Sequence, residues 1–146
     1  MNNCDALKLE NQLCFPLYAC SKEIVRRYKP YLDELDLTYT QYITMMVLWE
    51  EDEINVKELG RKLYLDSGTL TPLLKKLEAK GYITRSRSKE DERNLVVKIT
   101  GSGKTLREKA CEIPAKVGSC VNLSEEKAKL LYETLYQILD SIQGIG

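Results

Sequence analysis

Apolar residues recur every three or four positions along the first part of the chain, a spacing that places them on one face of an α-helix. The pattern predicts a helix from residue 9 to about residue 28, with apolar positions at Leu9, Leu13, Leu17, Ile24 and Tyr28. Pro30 limits this helix, because the residue before a proline is pushed out of the helical backbone region. Pro16 lies inside the pattern and predicts either a kink or a helix start near Phe15.

Two capping signals mark the starts of the next two helices. Thr38 and Gln41 form a capping box, in which each side chain satisfies a free backbone N–H of the other residue. The helix that follows ends in the acidic run Glu50–Glu53. Asn55, with Glu58 three residues later, opens a short third helix.

A third cap, Asp66, opens a longer helix that reaches Lys80 and is stopped by Gly81. Its apolar positions form a single stripe: Leu70, Leu73, Leu74 and Leu77. Pro72 lies in the second turn, where it leaves one carbonyl unpaired, so the first turn is expected to be irregular.

Two β-like runs, Tyr82–Arg87 and Leu95–Ile99, follow this helix. The charged segment 88–94 between them predicts a hairpin with a long tip. A further amphipathic helix is expected over residues 104–118, with a kink at Pro114.

The last helix begins after Ser124, and the complete order predicts a winged helix-turn-helix. The expected fold is mainly α with a small β-hairpin wing, flanked by N- and C-terminal dimerisation helices. We expect a single domain over residues 1–146, with the DNA-binding part at 37–100. Dimerisation and sensing are expected in segments 1–36 and 101–146.

Charge is distributed unevenly along the chain. The totals balance, with 22 basic and 22 acidic residues, which at first argues against a nucleic-acid partner. Residues 54–104 nevertheless hold twelve of the basic and six of the acidic residues, a net charge of +6, and the remainder carries −6. Because the basic segment coincides with the winged unit, the asymmetry indicates double-stranded DNA as a partner.

The second helix of the winged unit presents short hydroxyl side chains and lysines that can reach base edges and phosphates in a major groove. The predicted contacts on this helix are Ser67, Thr69, Thr71, Lys75 and Lys76. Arg93 in the hairpin tip suits the narrow, electronegative minor groove of A·T tracts. The hairpin also contributes Arg85, Arg87 and Asp91 to the predicted DNA-binding set.

The apolar stripes of the terminal helices have nothing in the winged unit to cover them. Burial against a second copy covers them and places two winged units on two-fold related half-sites. The sequence therefore predicts a homodimer on a pseudo-palindromic operator.

The chain has five cysteines and no histidine. The absence of histidine excludes Ser-His-Asp and Cys-His catalysis and histidine-ligated metal. The cysteine count is odd and no pair has the C-x-x-C spacing, so neither a disulfide scaffold nor a metal site is expected. No secretory signal or membrane-spanning run is visible, which predicts a cytoplasmic protein without a membrane partner, where a cysteine acts through its reactivity.

Several motifs resemble the MarR family of transcriptional regulators. The first is YLDSGTLTPLLKKLE from Tyr64 to Glu78. The wing motif D-x-R-x5-L-T is met from Asp91 to Thr100, except that Ile99 replaces its leucine. Within the family, NQLCFPLY at 11–18, YKP at 28–30 and LTYTQ at 37–41 resemble the organic-hydroperoxide sensors called OhrR. The resemblance runs from about residue 7 to residue 142.

By this resemblance Cys14 is the peroxide-reactive cysteine, and hydroxyls at the positions of Tyr28 and Tyr39 hydrogen-bond its sulfur. Tyr18, four residues after Cys14 on the same helix face, is expected to line the pocket. Some relatives have a resolving cysteine about 105 residues after the reactive one, and Cys120 stands 106 residues after Cys14. Sulfenic acid at Cys14 is thus expected to end either in an intersubunit disulfide with Cys120 or in a mixed disulfide with a low-molecular-weight thiol. The other three cysteines are interpreted as buried small residues.

The sequence thus predicts a repressor, not an enzyme, that needs no cofactor and releases its operator when an organic hydroperoxide oxidises Cys14. Two alternatives stay open at this stage. The same fold could respond to a small aromatic ligand or to a general thiol-oxidation signal. The chain could instead be a thiol peroxidase, which would leave the basic winged unit unexplained.

Overall fold

The computed structural model describes residues 4–91, 93–118 and 121–145. It confirms a mainly helical fold with a small wing. The helices and strands of the described residues are, in order, α1 (Cys14–Asp33), α2 (Tyr39–Glu51), β1 (Glu53–Asn55), α3 (Val56–Leu63), α4 (Ser67–Ala79), β2 (Ile83–Arg87), β3 (Leu95–Ile99), α5 (Gly101–Ala110), α6 (Ile113–Gly118) and α7 (Glu125–Ile145).

The chain divides into two compact units, Met1–Pro114 and Ala115–Gly146. The first unit contains α1 to α5 and the three strands, and the second contains α7. The predicted division of one domain into a DNA-binding part and two dimerisation and sensing segments stays a prediction.

Capping contacts confirm the predicted starts of α2, α4 and α7. At α2 the Gln41 N–H donates to Thr38 Oγ1 at 3.2 Å, and the Thr38 N–H donates to Gln41 Oε1 at 3.0 Å. Asp66 Oδ1 accepts from the Thr69 N–H at 2.8 Å, and Ser124 Oγ accepts from the Lys127 N–H at 3.2 Å. Each cap satisfies backbone donors that the first turn of a helix cannot pair internally.

The helix-turn-helix is formed by α3 and α4. The predicted leucine stripe of α4 is buried, and it packs in the same core as Leu59 of α3 and Met45 and Leu48 of α2. Contrary to expectation, Pro72 does not disturb the start of α4, which is regular from Ser67 onward. Gly81 ends the helix segment with a φ of 82°, a conformation that costs glycine little.

The wing is a three-stranded antiparallel sheet in the order β1-β3-β2. The hairpin of β2 and β3 was predicted, but β1 was not. Ile54 of β1 pairs with Val97 of β3, and both side chains are buried. This three-residue strand begins at Glu53, the last residue of the acidic run, and owes its conformation to its partner strand, so local pattern gives no signal for it.

The first helix starts near Phe15, which is one of the two outcomes predicted from Pro16, and it differs from its prediction at the C-terminal end. Two short 3-10 helices, Asp5–Leu7 and Leu9–Asn11, precede it, and α1 begins only at Cys14. It then continues through Pro30 to Asp33. A proline inside a helix removes one hydrogen bond, but burial of Leu32 just after Pro30 supplies apolar contacts that offset the loss.

The helix predicted over residues 104–118 is two helices. Thr100 caps α5 so that it starts at Gly101, and it ends at Ala110, with a turn before α6. Pro114 explains the break, because its ring would collide with the carbonyl of Ala110 in a continuous helix. Pro114 is instead the second residue of α6, where an amide proton is not needed.

Gly103 allows α5 to approach the wing and α2 closely. A Cβ atom at this position would overlap the carbonyl oxygen of Tyr82 and lie 2.7 Å from Cγ1 of Ile99 and 3.2 Å from Cε of Met45. Any side chain here must push apart α2, β3 and the segment that follows α4.

We predict that Gly103→Ala destabilises the protein by about 1 to 3 kcal/mol, the usual cost of inserting atoms into a packed core. Urea unfolding at one fixed protein concentration measures the change. Gly101→Ala is the matched control, because a Cβ at Gly101 meets no atom within 4 Å. Equal stability of the two variants would contradict the close approach at Gly103.

Candidate nucleic-acid interface and thiol site

The exposed face of α4 carries the predicted hydroxyls and lysines. The residues concerned, all exposed, are Ser67, Thr69, Thr71, Lys75 and Lys76. They lie opposite the buried leucine stripe, so packing of the stripe fixes the direction of the polar face. The first turn of α4, which Asp66 caps, is also exposed at Ser67 and Gly68.

The tip of the wing projects Arg93, whose side chain is 95% exposed. The Arg93 N–H donates to Asp91 Oδ1 at 3.0 Å, and its Nε lies 3.9 Å from the same oxygen. Asp91 therefore shapes the turn that carries Arg93. Arg87, also exposed, lies at the end of β2 nearer the tip.

Arg85 is placed differently from the other predicted contacts. Its guanidinium donates to Oε1 of Glu78 at 3.0 Å, and its backbone N–H donates to Oε2 of the same carboxylate at 3.0 Å. The Arg85 side chain is 20% exposed. The hydrogen bond to Arg85 lowers the pKa of Glu78. Arg85 thus ties the base of the wing to α4, and its predicted contact with DNA stays a prediction.

Lys80 makes a long-range link that the sequence does not signal. Its ammonium donates to the carbonyl of Asp36 and to Gln41 Oε1, at 3.3 Å for the latter. The end of α4 is therefore attached to the corner between α1 and α2. The partners lie about forty residues apart in sequence, so no spacing rule could have identified them.

Cys14 is the first residue of α1, and its side chain is exposed. The backbone N–H groups in the first turn of a helix lack partners within the helix, and Cys14 stands at this turn. Leu13, Phe15, Leu17 and Tyr18 beside it are also exposed. Tyr18 has its ring under the ammonium of Lys22, 5.9 Å from the ring centroid.

Tyr28 and Tyr39 do come together, and a third tyrosine joins them. The ring centroids of Tyr28 and Tyr39 are 5.0 Å apart, and those of Tyr28 and Tyr42 are 5.8 Å apart. Burial, and secondarily the neighbouring Tyr28, raises the pKa of Tyr39 and of Tyr42. These hydroxyls therefore stay protonated and able to donate. We call Tyr28, Tyr39 and Tyr42 the tyrosine cluster.

The tyrosine cluster and Cys14 are far apart within one chain. Cys14 and Tyr28 belong to the same helix, fourteen residues apart. At a rise of about 1.5 Å per residue, they are separated by about 21 Å along the axis. A hydrogen bond between them within one chain is therefore excluded.

The remaining cysteines are placed as follows. Cys120 lies outside the described residues. Cys4, Cys20 and Cys111 are exposed, which corrects the expectation that they are buried small residues. Across the described part of the chain, no cluster of cysteine, aspartate or glutamate side chains is suited to hold a metal ion. No helix there is long and apolar enough to cross a membrane.

The chain matches known regulators over most of its length. The family model "Transcriptional regulator SarA/Rot" matches residues 26–110. The organic hydroperoxide resistance transcriptional regulator of Bacillus subtilis is 49% identical over 97% of this chain and 96% of its own. The HTH-type transcriptional regulator SarZ of Staphylococcus aureus is 48% identical over 87% of this chain and 86% of its own.

The fold is also similar to that of a solved regulator, AbfR of Staphylococcus epidermidis. Its reduced form, bound to DNA, superimposes with a TM-score of 0.78 and 36% identity, covering 94% of this chain and 96% of that chain. The same regulator has been solved in an overoxidised form bound to DNA and in a disulfide form. This chain therefore belongs to the SarA/Rot family of transcriptional regulators and has the winged helix-turn-helix fold of the MarR-type proteins.

Proposed function

We propose that this regulator binds a pseudo-palindromic operator as a homodimer and releases it when an organic hydroperoxide oxidises Cys14. The observation that carries the sensing half is the exposed Cys14 thiol at the start of α1. Relatives of known role support it, since one is named for organic hydroperoxide resistance and another was solved in several oxidation states.

The DNA half of the proposal is supported by the exposed face of α4 and by Arg93. Short hydroxyl side chains near the start of a recognition helix allow close approach to base edges, and Lys75 and Lys76 add phosphate contacts. Arg93 at the wing tip is directed away from the rest of its unit and can enter a neighbouring minor groove.

Dimerisation is supported by large apolar side chains that each unit leaves exposed. In the first unit Leu13 is 84% exposed, and Phe15 and Leu17 are exposed beside it. In the second unit α7 exposes Leu130, Leu131, Tyr132, Ile138 and Ile142. Contiguous apolar surface of this kind is typical of an interface between proteins. A second copy is the occupant we propose.

The second copy also resolves the separation between Cys14 and the tyrosine cluster. Because Tyr28 cannot reach Cys14 of its own chain, the hydroxyl donors at the sulfur must come from the other subunit. Tyr28 and Tyr39 would hydrogen-bond the thiolate as neutral donors, which stabilises the anion without adding positive charge. The apolar residues beside Cys14 then suit an alkyl or aryl hydroperoxide.

The reaction is a two-electron oxidation of the sulfur. The Cys14 thiolate attacks the terminal oxygen of the hydroperoxide, the O–O bond breaks, and the alkoxide leaves and takes up a proton to become the alcohol. The sulfur becomes a sulfenic acid, which condenses with a second thiol to form a disulfide and water. That thiol is either a small cellular thiol or Cys120 of the other subunit.

The change at Cys14 alters its hydrogen bonds to the tyrosines, and DNA affinity changes through the elements that carry the tyrosines.

A second candidate signal, a small aromatic ligand, is favoured by one feature. A cleft of about 370 Å³ in the first unit is lined by Tyr42, Met46, Trp49 and Arg107, which combine aromatic surface with one cation. Loss of DNA binding upon addition of such a ligand to the Cys14→Ser variant would favour this alternative.

We predict that Cys14→Ser keeps operator affinity within about twofold but no longer releases DNA after treatment with cumene hydroperoxide. The substitution removes the nucleophile and preserves the size of the side chain. Gel-shift titration before and after treatment measures both properties, and Cys20→Ser is the control that must still release. Release by the Cys14→Ser variant would contradict the sensor assignment.

The fate of the sulfenic acid is decided by a non-reducing gel. If Cys120 resolves it, hydroperoxide produces a covalent dimer that is absent in Cys120→Ser and in Cys14→Ser. Cys111→Ser is the matched control and must still form the dimer. A monomer band in the wild type, with a mass increase when a small thiol is added, assigns the small-thiol route instead.

We predict that Arg93→Ala weakens operator binding about tenfold and makes the slope of log affinity against log salt shallower by about one to two, since each subunit loses one phosphate-region cation. Fluorescence anisotropy at four salt concentrations measures the slope. Lys129→Ala, an exposed lysine on α7, is expected to leave the slope unchanged. A slope equal to that of the wild type in Arg93→Ala would show that the wing tip does not contact DNA.

A further inference from the structure

We propose that Trp49 is the positioning residue that couples the tyrosine cluster to the DNA-reading elements, through its hydrogen bond to Gly103. This role rests on the proposed function, because it concerns how oxidation at Cys14 reaches α4 and the wing. Trp49 is the single tryptophan of the chain. The residues around it in the sequence do not indicate such a role.

The first step of the coupling is an aromatic row on one face of α2. Tyr39, Tyr42 and Trp49 are separated by three and seven residues, so they lie on the same side of the helix. The centroids of Tyr39 and Tyr42 are 6.3 Å apart, and those of Tyr42 and Trp49 are 6.4 Å apart. Trp49 is therefore in ring contact with the cluster, and a displacement of Tyr39 reaches it through packed atoms.

The second step is a hydrogen bond between distant parts of the chain. The indole Nε1–H of Trp49 donates to the carbonyl oxygen of Gly103 at 2.8 Å, across 54 residues of sequence. Indole has a single polar hydrogen, and here it is used to hold the first turn of α5. The contact is partly buried, which strengthens it relative to an exposed bond.

The third step connects α5 to the elements that read DNA. The Gly103 N–H donates to Thr100 Oγ1 at 3.1 Å, and the same hydroxyl donates to the Gly81 carbonyl at 2.6 Å. The Thr100 N–H donates to the Tyr82 carbonyl at 3.0 Å. Gly81 and Tyr82 connect α4 to β2, and Thr100 follows β3. A movement of Gly103 is therefore passed to both the recognition helix and the wing.

Close packing at Gly103 allows this contact to pass a displacement on to the neighbouring residues. The missing side chain at Gly103 lets its backbone approach the Tyr82 carbonyl and the side chains of Ile99 and Met45, so a shift of Gly103 displaces packed neighbours. On the other side, Tyr42 and Trp49 line a cleft of about 370 Å³. Trp49 thus stands between this cleft and the packed junction at Gly103.

The test separates oxidation of Cys14 from release of DNA, and it uses Trp49→Phe in the full-length protein. This variant keeps an aromatic ring in the row and removes only the indole N–H. We expect operator affinity in the reduced state and the rate of sulfenic acid formation, followed by dimedone trapping, to stay within about twofold of wild type. The ratio of oxidised to reduced operator Kd is expected to fall about fivefold, the factor that one hydrogen bond of ordinary strength supplies.

Tyr64→Phe is the matched control, because it also removes one polar hydrogen from a half-exposed aromatic side chain, here at the end of α3. It is expected to keep the wild-type Kd ratio. A wild-type ratio in Trp49→Phe overturns the coupling role. If the wild-type protein itself keeps its DNA after Cys14 is oxidised, the proposed function fails first, and the role of Trp49 fails with it.

A second measurement needs no variant at position 49 and decides the question if Trp49→Phe does not fold. Since Trp49 is the only tryptophan, its emission reports its own surroundings. We expect cumene hydroperoxide to shift the emission of the wild-type protein and to leave that of Cys14→Ser unchanged. Identical emission before and after complete oxidation of Cys14 overturns the proposal.

Discussion

The close backbone contact at Gly103 is the constraint on which the arrangement of the first unit depends. Because no side chain stands there, α5 begins directly against the Tyr82 carbonyl, beside Ile99 at the end of β3 and Met45 of α2. Thr100 caps α5 and at the same time bonds the Gly81 carbonyl, so the helix start and the end of the recognition segment share one hydroxyl. The orientation of α4 relative to the wing follows from this junction and from the Arg85–Glu78 pair.

Charge in this protein has two uses that the overall sum conceals. Part of the basic segment is paired with groups of the protein itself: Arg85 with Glu78, Lys80 with the α1–α2 corner, and Lys62 with Glu51. Among the other cations of the segment, Lys75 and Lys76 are exposed on α4, and Arg93 is exposed at the wing tip. The positions of the exposed cations, and not the net charge of +6 alone, therefore determine which of them can meet DNA.

The length of α1 separates the reactive thiol from its proposed donors. A straight helix that begins at Cys14 and carries Tyr28 four turns later cannot fold back on itself, so the proposed thiol site is incomplete in one chain. In the proposed homodimer, sensing and dimerisation are linked, because the same association would cover the apolar residues beside Cys14 and complete its surroundings. Tyrosine hydroxyls suit this proposed role in a chain without histidine, because a phenol O–H can donate a hydrogen bond, and burial raises the pKa of Tyr39 further.

The sequence by itself determined the features that depend on neighbours within about one helical turn. The caps at Thr38, Asp66 and Ser124 and the leucine stripe of α4 follow from such local relations. The hairpin follows from two β-like runs and the charged segment between them, and the motif at 64–78 indicated a MarR-type regulator. Tertiary packing decided what local pattern could not. It carried α1 through Pro30, paired β1 with β3 and turned Arg85 toward Glu78. It also brought Trp49 to Gly103, because contacts between residues forty or more positions apart depend on how the helices pack, which no short-range spacing records.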